Sequence, residues 1–334
     1  MSTNLPLINF FDFRRLVNAG ELDGLIIAED GRNDFTKAVV QACKFYAISQ
    51  VGVANVTHPN PANPIYWLDQ DKIFLPYIES DITDRCNLNC CGCCHFANFH
   101  DKDEFYPFEN FSRDIERIAN TCDVLIVKLL GGEPLLLKNF SEYLSFVSQV
   151  LPNAGLEIFT NGLLIPSLPQ KTINIIRETR CLVNISAYPP TRKIFDAIKS
   201  RLDKNSIPFT VKPVEVFAAQ MTLNSGNDPA KARAACRCGV CRSIRNGKLY
   251  KCPIDAACYK FARKFGLKNY PESTGIDIYA PNFASLIQML DGNVELCSWC
   301  SEQPRQISWT PANKPQLEDW LADPNEAKHL SKKP

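Results

Sequence analysis

A regular alternation of strand-like and helix-like segments between residues 73 and 216 constrains the fold of this chain more than any other feature. Short segments rich in β-branched and aromatic residues alternate with longer ones in which apolar residues recur every three or four positions. Five strands separated by four helices require crossover connections, so we expect a parallel sheet that curls into a full or partial barrel. Chemistry is then expected at the carboxyl ends of the strands. The predicted strands are FLPYIESDI, DVLIVKLL, GLEIFT, CLVNISA and PFTVKPVEV.

Changes in composition divide the chain into four regions. Residues 1–64 are predicted to form a small α/β unit, with a helix between two strands, followed by a Pro- and Asn-rich linker; they contain no glycine-rich phosphate loop. Residues 73–220 form the predicted barrel-like core, and residues 221–305 a cysteine-rich module. Residues 306–334 are a polar, Pro-rich tail that either caps the barrel or stays loose.

Charge and cysteine content exclude several classes of protein. The 37 basic residues nearly cancel the 36 acidic ones, so neither nucleic acid nor an anionic membrane is an expected partner. The sequence begins without a basic segment that leads into an apolar one, and it contains no uncharged run long enough to span a bilayer, which predicts a cytoplasmic protein. Fifteen clustered cysteines in a chain of 334 residues then indicate metal ligation rather than disulfide bonds.

Five cysteines lie within the segment DRCNLNCCGCCHF, directly after the first predicted strand of the core. Cys86, Cys90 and Cys93 have the spacing Cys-x3-Cys-x2-Cys, which suits an iron-sulfur cluster with three protein ligands and one open iron. A zinc knot or a set of buried cysteines is the alternative, although zinc prefers four ligands in paired Cys-x2-Cys units. Cys91 and Cys94 are spare thiols, substitute ligands or inert small side chains, and the inert interpretation is preferred.

The segment from Cys86 to Cys93 resembles the motif of the radical S-adenosylmethionine (SAM) superfamily. The resemblance implies a partial (β/α)6 TIM-like barrel with a 4Fe-4S cluster whose open iron chelates SAM. It also implies that an electron delivered through the cluster cleaves SAM into methionine and a 5′-deoxyadenosyl radical. Many members of the superfamily have an aromatic residue before the third cysteine that contacts adenine. Because Gly92 occupies this position, the adenine contacts are expected to shift to His95 and Phe96.

Segments on the following strands resemble further cofactor-binding motifs of this superfamily. In the sequence Gly-Gly-Glu-Pro, the glycines would let the backbone approach the methionine moiety, and Glu133 would accept from its ammonium group. A Thr-Asn-Gly segment follows the next strand, and Ser186 on the strand after that is the expected ribose contact. Each segment alone is an ordinary turn or strand, but their order indicates a SAM site. The predicted SAM-binding residues are Gly131, Gly132, Glu133, Pro134, Asn161, Ser186, His95 and Phe96.

A second group of cysteines lies in the last third of the chain. Residues 241–252 are predicted to form a hairpin with an Asn-Gly turn and a cysteine at each end, and residues 297–300 supply a Cys-x2-Cys pair. This arrangement resembles the SPASM and twitch extensions, which implies one auxiliary cluster; four-thiolate zinc is the alternative. The spacing from Gly247 also suits Cys236. The predicted auxiliary ligands are Cys241, Cys252, Cys297 and Cys300, with Cys238 and Cys236 in reserve.

These motifs predict a radical SAM enzyme that dehydrogenates, epimerises or rearranges a small molecule, such as a sugar-derived metabolite. A precursor peptide is the second candidate substrate. The alternative of a different class is a non-catalytic iron-sulfur or zinc protein that serves as an electron carrier or scaffold, although such a protein has no need of a methionine pocket. Catalysis would require a flavodoxin or ferredoxin as reductant. No catalytic side chain is assigned.

Overall fold

The computed structural model describes residues 24–29, 50–55, 66–69, 71–99, 105–238, 241–312 and 314–330. The chain divides into two compact units, Met1–Pro76 and Tyr77–Pro334. In the first unit, β1 (Gly24–Glu29) and β2 (Gln50–Asn55) pair in parallel, and β3 (Tyr66–Trp67) pairs antiparallel with β2. Both predicted strands are therefore confirmed.

The helix predicted between the two strands and the linker at residues 58–64 lie outside the described residues.

The predicted alternation of strands and helices is present from residue 73 onward, although the last of the four predicted helices is divided at Ile194 into two. The five strands β4 to β8 lie side by side in sequence order, and the pairs from β5 to β8 are parallel, which confirms an α/β core of the partial TIM-barrel type. The elements are β4 (Ile73–Thr83), α1 (Phe108–Thr121), β5 (Cys122–Gly131), α2 (Phe140–Val150), β6 (Gly155–Thr160), α3 (Gln170–Glu178), β7 (Leu182–Ala187), α4 (Pro189–Lys193), α5 (Phe195–Lys204) and β8 (Phe209–Pro213).

The two faces of the core sheet differ in polarity. Along β7, Val183, Ile185 and Ala187 are buried and alternate with half-buried residues, as the two-residue period of a strand requires. On the opposite face, the amide of Asn184 links its neighbouring strands, because it donates to Glu157 (3.1 Å) and accepts from Thr210 (2.6 Å). One face of the sheet is thus apolar, and the other carries polar side chains.

A hairpin from the C-terminal third extends this sheet. The order of its strands is β12-β11-β10-β4-β5-β6-β7-β8, and β10 pairs in parallel with β4. Asn246 and Gly247 connect β10 to β11 with φ angles of +49° and +75°, as a two-residue hairpin turn requires, so the predicted hairpin is confirmed. The remaining elements are β9 (Val216–Met221), α6 (Pro229–Ala235), β10 (Ser243–Arg245), β11 (Lys248–Tyr250), α7 (Pro253–Phe265), β12 (Ile276–Asp277), α8 (Phe283–Leu286), β13 (Cys300–Ser308) and α9 (Ala327–Leu330).

The segment PFTVKPVEV is not one strand, contrary to the sequence prediction. β8 ends at Pro213, which has no backbone N–H to continue the ladder. β9 then pairs antiparallel with β13 in a separate two-stranded sheet. In the part of the chain that the structure describes, no helix has both the length and the hydropathy to cross a bilayer.

A buried group of charges joins the hairpin and α7 to the end of β4. Both carboxylate oxygens of Asp84 accept from Arg245 of β10, at 2.6 and 2.7 Å, and Lys260 of α7 donates to the same carboxylate at 2.5 Å. Burial alone would raise the pKa of Asp84, but the hydrogen bonds and charges of the two cations outweigh it and hold the pKa at about 2. Asp84 is therefore ionised at neutral pH, and three separate elements depend on its charge.

We predict that Asp84→Asn lowers the free energy of unfolding of the metal-free protein by about 3–5 kcal/mol, because it leaves two buried cations without their carboxylate. Urea denaturation would measure the change. Lys260→Met keeps the bidentate Arg245 pair and should be less destabilising. As a control, Lys199→Met breaks an exposed ion pair with Asp203 and should change stability by at most about 0.5 kcal/mol. Equal losses in the Asp84 and Lys199 variants would contradict this prediction.

Candidate active site

The loop that follows β4 brings the thiols of Cys86, Cys90 and Cys93 close enough for their charges to interact. Burial raises the pKa of Cys86 and of Cys90 to about 12, and the neighbouring Cys93 adds to both shifts. All of the described cysteines are free thiols. Buried thiols of this kind bind metal by releasing their protons, so the donor set fits an iron-sulfur cluster.

Two of these sulfur atoms accept hydrogen bonds. The backbone N–H of Leu88 donates to Sγ of Cys86 at 3.4 Å, and the indole Nε1 of Trp309 donates to Sγ of Cys90 at 3.1 Å. Among the described residues, no three His, Cys, Asp or Glu side chains converge as the ligands of a single metal ion. The thiolates that hold a cubane cluster do not have to converge on one point, because each of them binds its own iron atom.

A segment near the C-terminus covers the cysteine loop. We call residues 307–312 and 314–320 the C-terminal strap. Its backbone carbonyl at Thr310 accepts from the N–H of Cys91 at 3.0 Å, and the indole of Trp320 donates to the carbonyl of Cys93 at 3.0 Å. The tail was expected either to cap the barrel or to stay loose, and this segment of it contacts the core.

The strap also explains the glycine before the third cysteine. Gly92 has φ +68°, and a Cβ atom there would lie 2.5 Å from Cδ1 of Ile307 in the strap. The backbone conformation therefore disfavours an aromatic residue at this position, and any side chain there would also displace the end of Ile307.

The glycine pair after β5 lies against the chain that enters the cysteine loop. A Cβ atom on Gly132 would be 2.1 Å from the carbonyl oxygen of Arg85, and one on Gly131, where φ is +140°, would be 2.2 Å from that of Thr83. The same closeness lets the N–H of Gly132 donate to Thr83 and that of Glu133 to Arg85, both at 2.7 Å. The glycines thus fix this loop beside the cysteines.

Glu133 is completely buried and already accepts three hydrogen bonds from the chain. Thr160 and the backbone of Leu135 donate to Oε1 at 2.7 and 3.1 Å, and the backbone of Asn161 donates to Oε2 at 2.8 Å. Burial raises the pKa of Glu133 to about 7, against the effect of these donors. Pro134 follows as the first residue of a short 3-10 turn. A carboxylate has about four acceptor positions, so one acceptor position of Glu133 remains unused.

Asn161 links the Thr-Asn-Gly turn to the cysteine loop. Its Nδ2 donates to Oδ1 of Asn87 at 2.6 Å, next to Cys86, and its Oδ1 accepts from the backbone of Leu163 at 3.0 Å. Ser186 is half-buried on β7, two residues from Asn184 and on the same polar face of the strand.

His95 and Phe96 have different surroundings, although both are predicted adenine contacts. Nδ1 of His95 lies 2.9 Å from Oδ2 of Asp81, and this carboxylate raises the pKa of His95 to about 10 although burial opposes it. The ring of Phe96 is fully buried between Phe99 and Phe261, with ring centroids 6.0 and 5.7 Å away. The half-buried imidazole of His95 is therefore accessible to a ligand, whereas Phe96 is not.

The cysteines of the C-terminal third lie in two places. Cys236, Cys252, Cys297 and Cys300 line one small cavity, together with the cationic side chains of Arg233 and Lys251. Burial lowers the pKa of Lys251 to about 8, and Arg242 and Arg233 add to this effect. Four thiols beside two cations fit an anionic iron-sulfur cluster.

Cys241, predicted as an auxiliary ligand, has other neighbours. Its thiol hydrogen-bonds with Tyr77, and burial, followed by the nearby charge of Glu79, raises its pKa to about 12. Cys238 exchanges thiol hydrogen bonds with Cys236 and with Cys94 of the cysteine loop. The reserve residue Cys236 thus occupies the cavity in which Cys241 was expected.

Several residues around the site were not identified from the sequence. The tryptophans of the strap lie more than 200 positions from the cysteines they contact, and no spacing rule links them. Asp84 and Lys260 are likewise separated by 176 positions. The sequence contains one weak signal for Asp84: this charged residue lies between the first predicted strand of the core and the Arg-Cys that begins the cysteine motif.

Comparison with known proteins agrees with this geometry. A family model described as the radical SAM superfamily matches residues 80–203. The chain is 25% identical to a GTP 3′,8-cyclase of Rhodopirellula baltica over 156 residues, which are 43% of this chain and 44% of that protein. It is 30% identical to the GTP 3′,8-cyclase of Staphylococcus haemolyticus over 141 residues, 40% of each. The chain thus spans less than half the length of the curated relatives it matches.

Among solved structures, the chain is similar to that titled "Crystal structure of BtrN in complex with AdoMet and 2-DOIA". The TM-score is 0.43 and the sequence identity 19%, over 69% of this chain and 94% of that one.

We predict that Gly132→Ala destabilises the metal-free protein by about 3 kcal/mol, because the new methyl group overlaps the Arg85 carbonyl. Gly266→Ala is the matched control, since Gly266 has φ +65° and nothing within 4 Å of a Cβ atom. Backbone strain alone should reduce its stability by about 1 kcal/mol. Thermal and urea denaturation would measure both, and an equal loss in the two variants would contradict the steric interpretation.

The raised pKa of Glu133 predicts a pH-dependent contribution to stability. Because the folded-state value of about 7 exceeds the unfolded value, the contribution is complete below pH 4.5 and is lost as the pH rises through 7. The wild type should therefore lose stability relative to Glu133→Gln between about pH 5 and about pH 8. Urea denaturation of the metal-free proteins at both pH values would measure this, with the exposed Glu142→Gln as control. A difference that is independent of pH would contradict the prediction.

Proposed function

Because this chain belongs to the radical SAM superfamily through its domain at residues 80–203, we propose that it cleaves SAM reductively and uses the resulting radical to abstract hydrogen from a polar small molecule. The observation that carries this function is the group of three free thiols in one loop beside Glu133, of which Cys90 is buried and Cys86 and Cys93 are half-buried. The charge of Glu133 is close enough to raise the pKa of Cys86. Asn161 hydrogen-bonds with the Cys86 thiol and donates to the side chain of Asn87.

Cys86, Cys90 and Cys93 would hold the 4Fe-4S cluster. When bound and reduced by a flavodoxin or ferredoxin, this cluster would supply the electron that cleaves SAM into methionine and a 5′-deoxyadenosyl radical. The chain itself orients the cofactor. Glu133 has one remaining acceptor position for the ammonium group, and Ser186 lies on the polar face of β7 for the ribose. The strap contacts the cysteine loop at Cys91 and Cys93, and we expect it to limit access of water to this loop.

The polar face of the core sheet supports a hydrophilic substrate. Tyr77, Glu79 and Asp81 are buried along β4 at alternate positions, and the ammonium group of Lys128 on β5 lies 3.5 Å from the ring centroid of Tyr77. Oδ1 of Asp81 is buried and has no hydrogen-bond partner among the described residues. A substrate hydroxyl or ammonium group would satisfy this oxygen.

A small molecule is preferred over the second candidate, a precursor peptide. Three carboxyl groups, of Glu79, Asp81 and Glu157, are buried near this face together with the cations His95 and Lys128. Such a density of polar groups matches a compound with many donors and acceptors better than an apolar peptide segment. GTP is a second small-molecule candidate, because the curated relatives, which this chain matches over less than half of their length, are GTP 3′,8-cyclases.

We further propose an auxiliary 4Fe-4S cluster in a SPASM- or twitch-like module. The revised ligand set is Cys236, Cys252, Cys297 and Cys300, because these four thiols line one cavity. Cys241 is left free to face the substrate side of the core, beside Tyr77 and Glu79. Structural zinc bound by the same thiols is the alternative occupant, and it would require the four sulfur atoms to move closer together than they lie among the described residues.

The test is anaerobic reconstitution with iron and sulfide, followed by dithionite and SAM, with 5′-deoxyadenosine quantified by mass spectrometry. We expect product from the wild type and none from the Cys86→Ala, Cys90→Ala, Cys93→Ala triple variant. Cys91→Ala is the matched control within the same loop and should retain cleavage. No product above the triple variant would exclude the enzyme and favour the non-catalytic iron-sulfur or zinc protein.

The substrate class can be tested in the same assay. Perdeuterated glucosamine, deuterated GTP and a deuterated peptide would be compared for transfer of deuterium into 5′-deoxyadenosine. Transfer from the amino sugar would support a polar small molecule, and transfer from the peptide alone would overturn that preference.

Metal analysis tests the auxiliary site. With two cubane clusters the wild type should contain about eight iron atoms per chain, and a variant with alanine at all four proposed auxiliary ligands about four. About one zinc and four iron atoms in the wild type would identify structural zinc instead. Cys241→Ala should leave the iron content unchanged.

A further inference from the structure

Trp309 is held at the cysteine loop by contacts on both its backbone and its ring. It directly follows β13, and its backbone N–H donates to the carbonyl of Glu215 at 2.7 Å. Its ring lies beside Tyr188, with centroids 5.9 Å apart, and Tyr188 in turn stacks on Phe217 at 6.2 Å. The direction of the indole is therefore set by the packing of these aromatic rings.

The indole N–H of Trp309 has the sulfur of a proposed cluster ligand as its acceptor. Nε1 lies 3.1 Å from Sγ of Cys90, which is buried. Hydrogen bonds to cysteine sulfur are one of the main determinants of the reduction potential of iron-sulfur clusters. Such a bond withdraws electron density from the ligand and stabilises the form of the cluster that carries one additional electron.

Trp320 provides an internal comparison. Its indole also donates to a neighbouring proposed ligand, but the acceptor is the backbone carbonyl of Cys93 at 3.0 Å rather than a sulfur atom. Trp320 is almost completely buried. The two tryptophans therefore make similar contacts with the same loop that differ in the atom that accepts.

We propose that Trp309 tunes the SAM-cleaving cluster, raising its reduction potential through the N–H···S bond to Cys90. The inference rests on the proposed function, since it requires the cluster at Cys86, Cys90 and Cys93. Reduction takes one electron from the external reductant and moves no proton, and the indole keeps its hydrogen throughout. Trp309 is a positioning residue that acts through Cys90, and the strap thereby affects how readily the reductant activates the enzyme.

The test is a potentiometric titration of the reconstituted full-length protein. The titration is monitored by electron paramagnetic resonance, with the signal that changes when SAM is added. Trp309→Phe removes the N–H and keeps an aromatic ring beside Tyr188. We expect a more negative midpoint potential than in the wild type. We also expect a shift of the Fe–S(Cys) stretching bands in resonance Raman spectra, because the sulfur has lost its donor.

Trp320→Phe is the matched control. It removes an indole donor from the same loop without touching sulfur, so it should lower thermal stability and leave the midpoint potential unchanged. Equal potentials for Trp309→Phe and the wild type would overturn the inference. Equal shifts in both variants would also overturn it, since they would reflect general loosening of the loop.

A measurement on the wild type keeps the inference testable if Trp309→Phe does not assemble a cluster. Protein labelled with ¹⁵N in the indole of tryptophan should show a ¹⁵N hyperfine coupling in electron-nuclear double resonance of the reduced cluster. Absence of this coupling would contradict the N–H···S bond to Cys90 and would therefore overturn the inference. If the wild type instead forms no SAM-sensitive cluster at all, the proposed function itself fails, and the inference with it.

Discussion

The ion pairs of Asp84 join three elements of the second unit through one buried carboxylate. One carboxylate at the end of β4 accepts from a guanidinium group on the hairpin and from an ammonium group on α7. Because two residues of chain span at most about 7 Å, the first proposed ligand, Cys86, begins close to this fixed point. The core sheet, the hairpin and the cysteine loop therefore share one anchor, and movement of any of them would expose buried charge.

Much of the core could be predicted from the sequence because its signals are local. The periods of apolar residues identified the strands and helices from β4 to β8, and Asn246-Gly247 identified the hairpin turn. The division at Pro213 was missed, although proline is a known end of a ladder, because the residues on both sides favour strands. The pairing of β9 with β13 joins segments about 85 positions apart, and no local pattern encodes such a pairing.

The site was predictable to the extent that its residues follow one another along the chain. Cys86, Cys90 and Cys93 share one loop, so their spacing is directly visible. The auxiliary group was harder, because Cys236 and Cys241 both precede the hairpin and only the folded chain separates them. Cys241 instead comes to lie beside Tyr77 and Glu79. The contacts of the strap could not be predicted at all, since the tail is polar and its two indoles act over long sequence distances.

The two groups of cysteines differ in how the chain compensates for negative charge. Arg233 and Lys251 line the auxiliary cavity, and their charged groups donate to the carbonyls of Asp291 and Leu290. Burial and the nearby arginines lower the pKa of Lys251 to about 8 in the metal-free protein. A bound cluster with four thiolates would supply the missing negative charge and favour the ammonium form. The first loop instead offers N–H donors from Leu88 and Trp309 to its sulfur atoms. Such hydrogen bonds would compensate the charge of the proposed cluster without occupying its open side, which would remain accessible to SAM. The proposed auxiliary site, with four protein ligands, would have no open side to keep free.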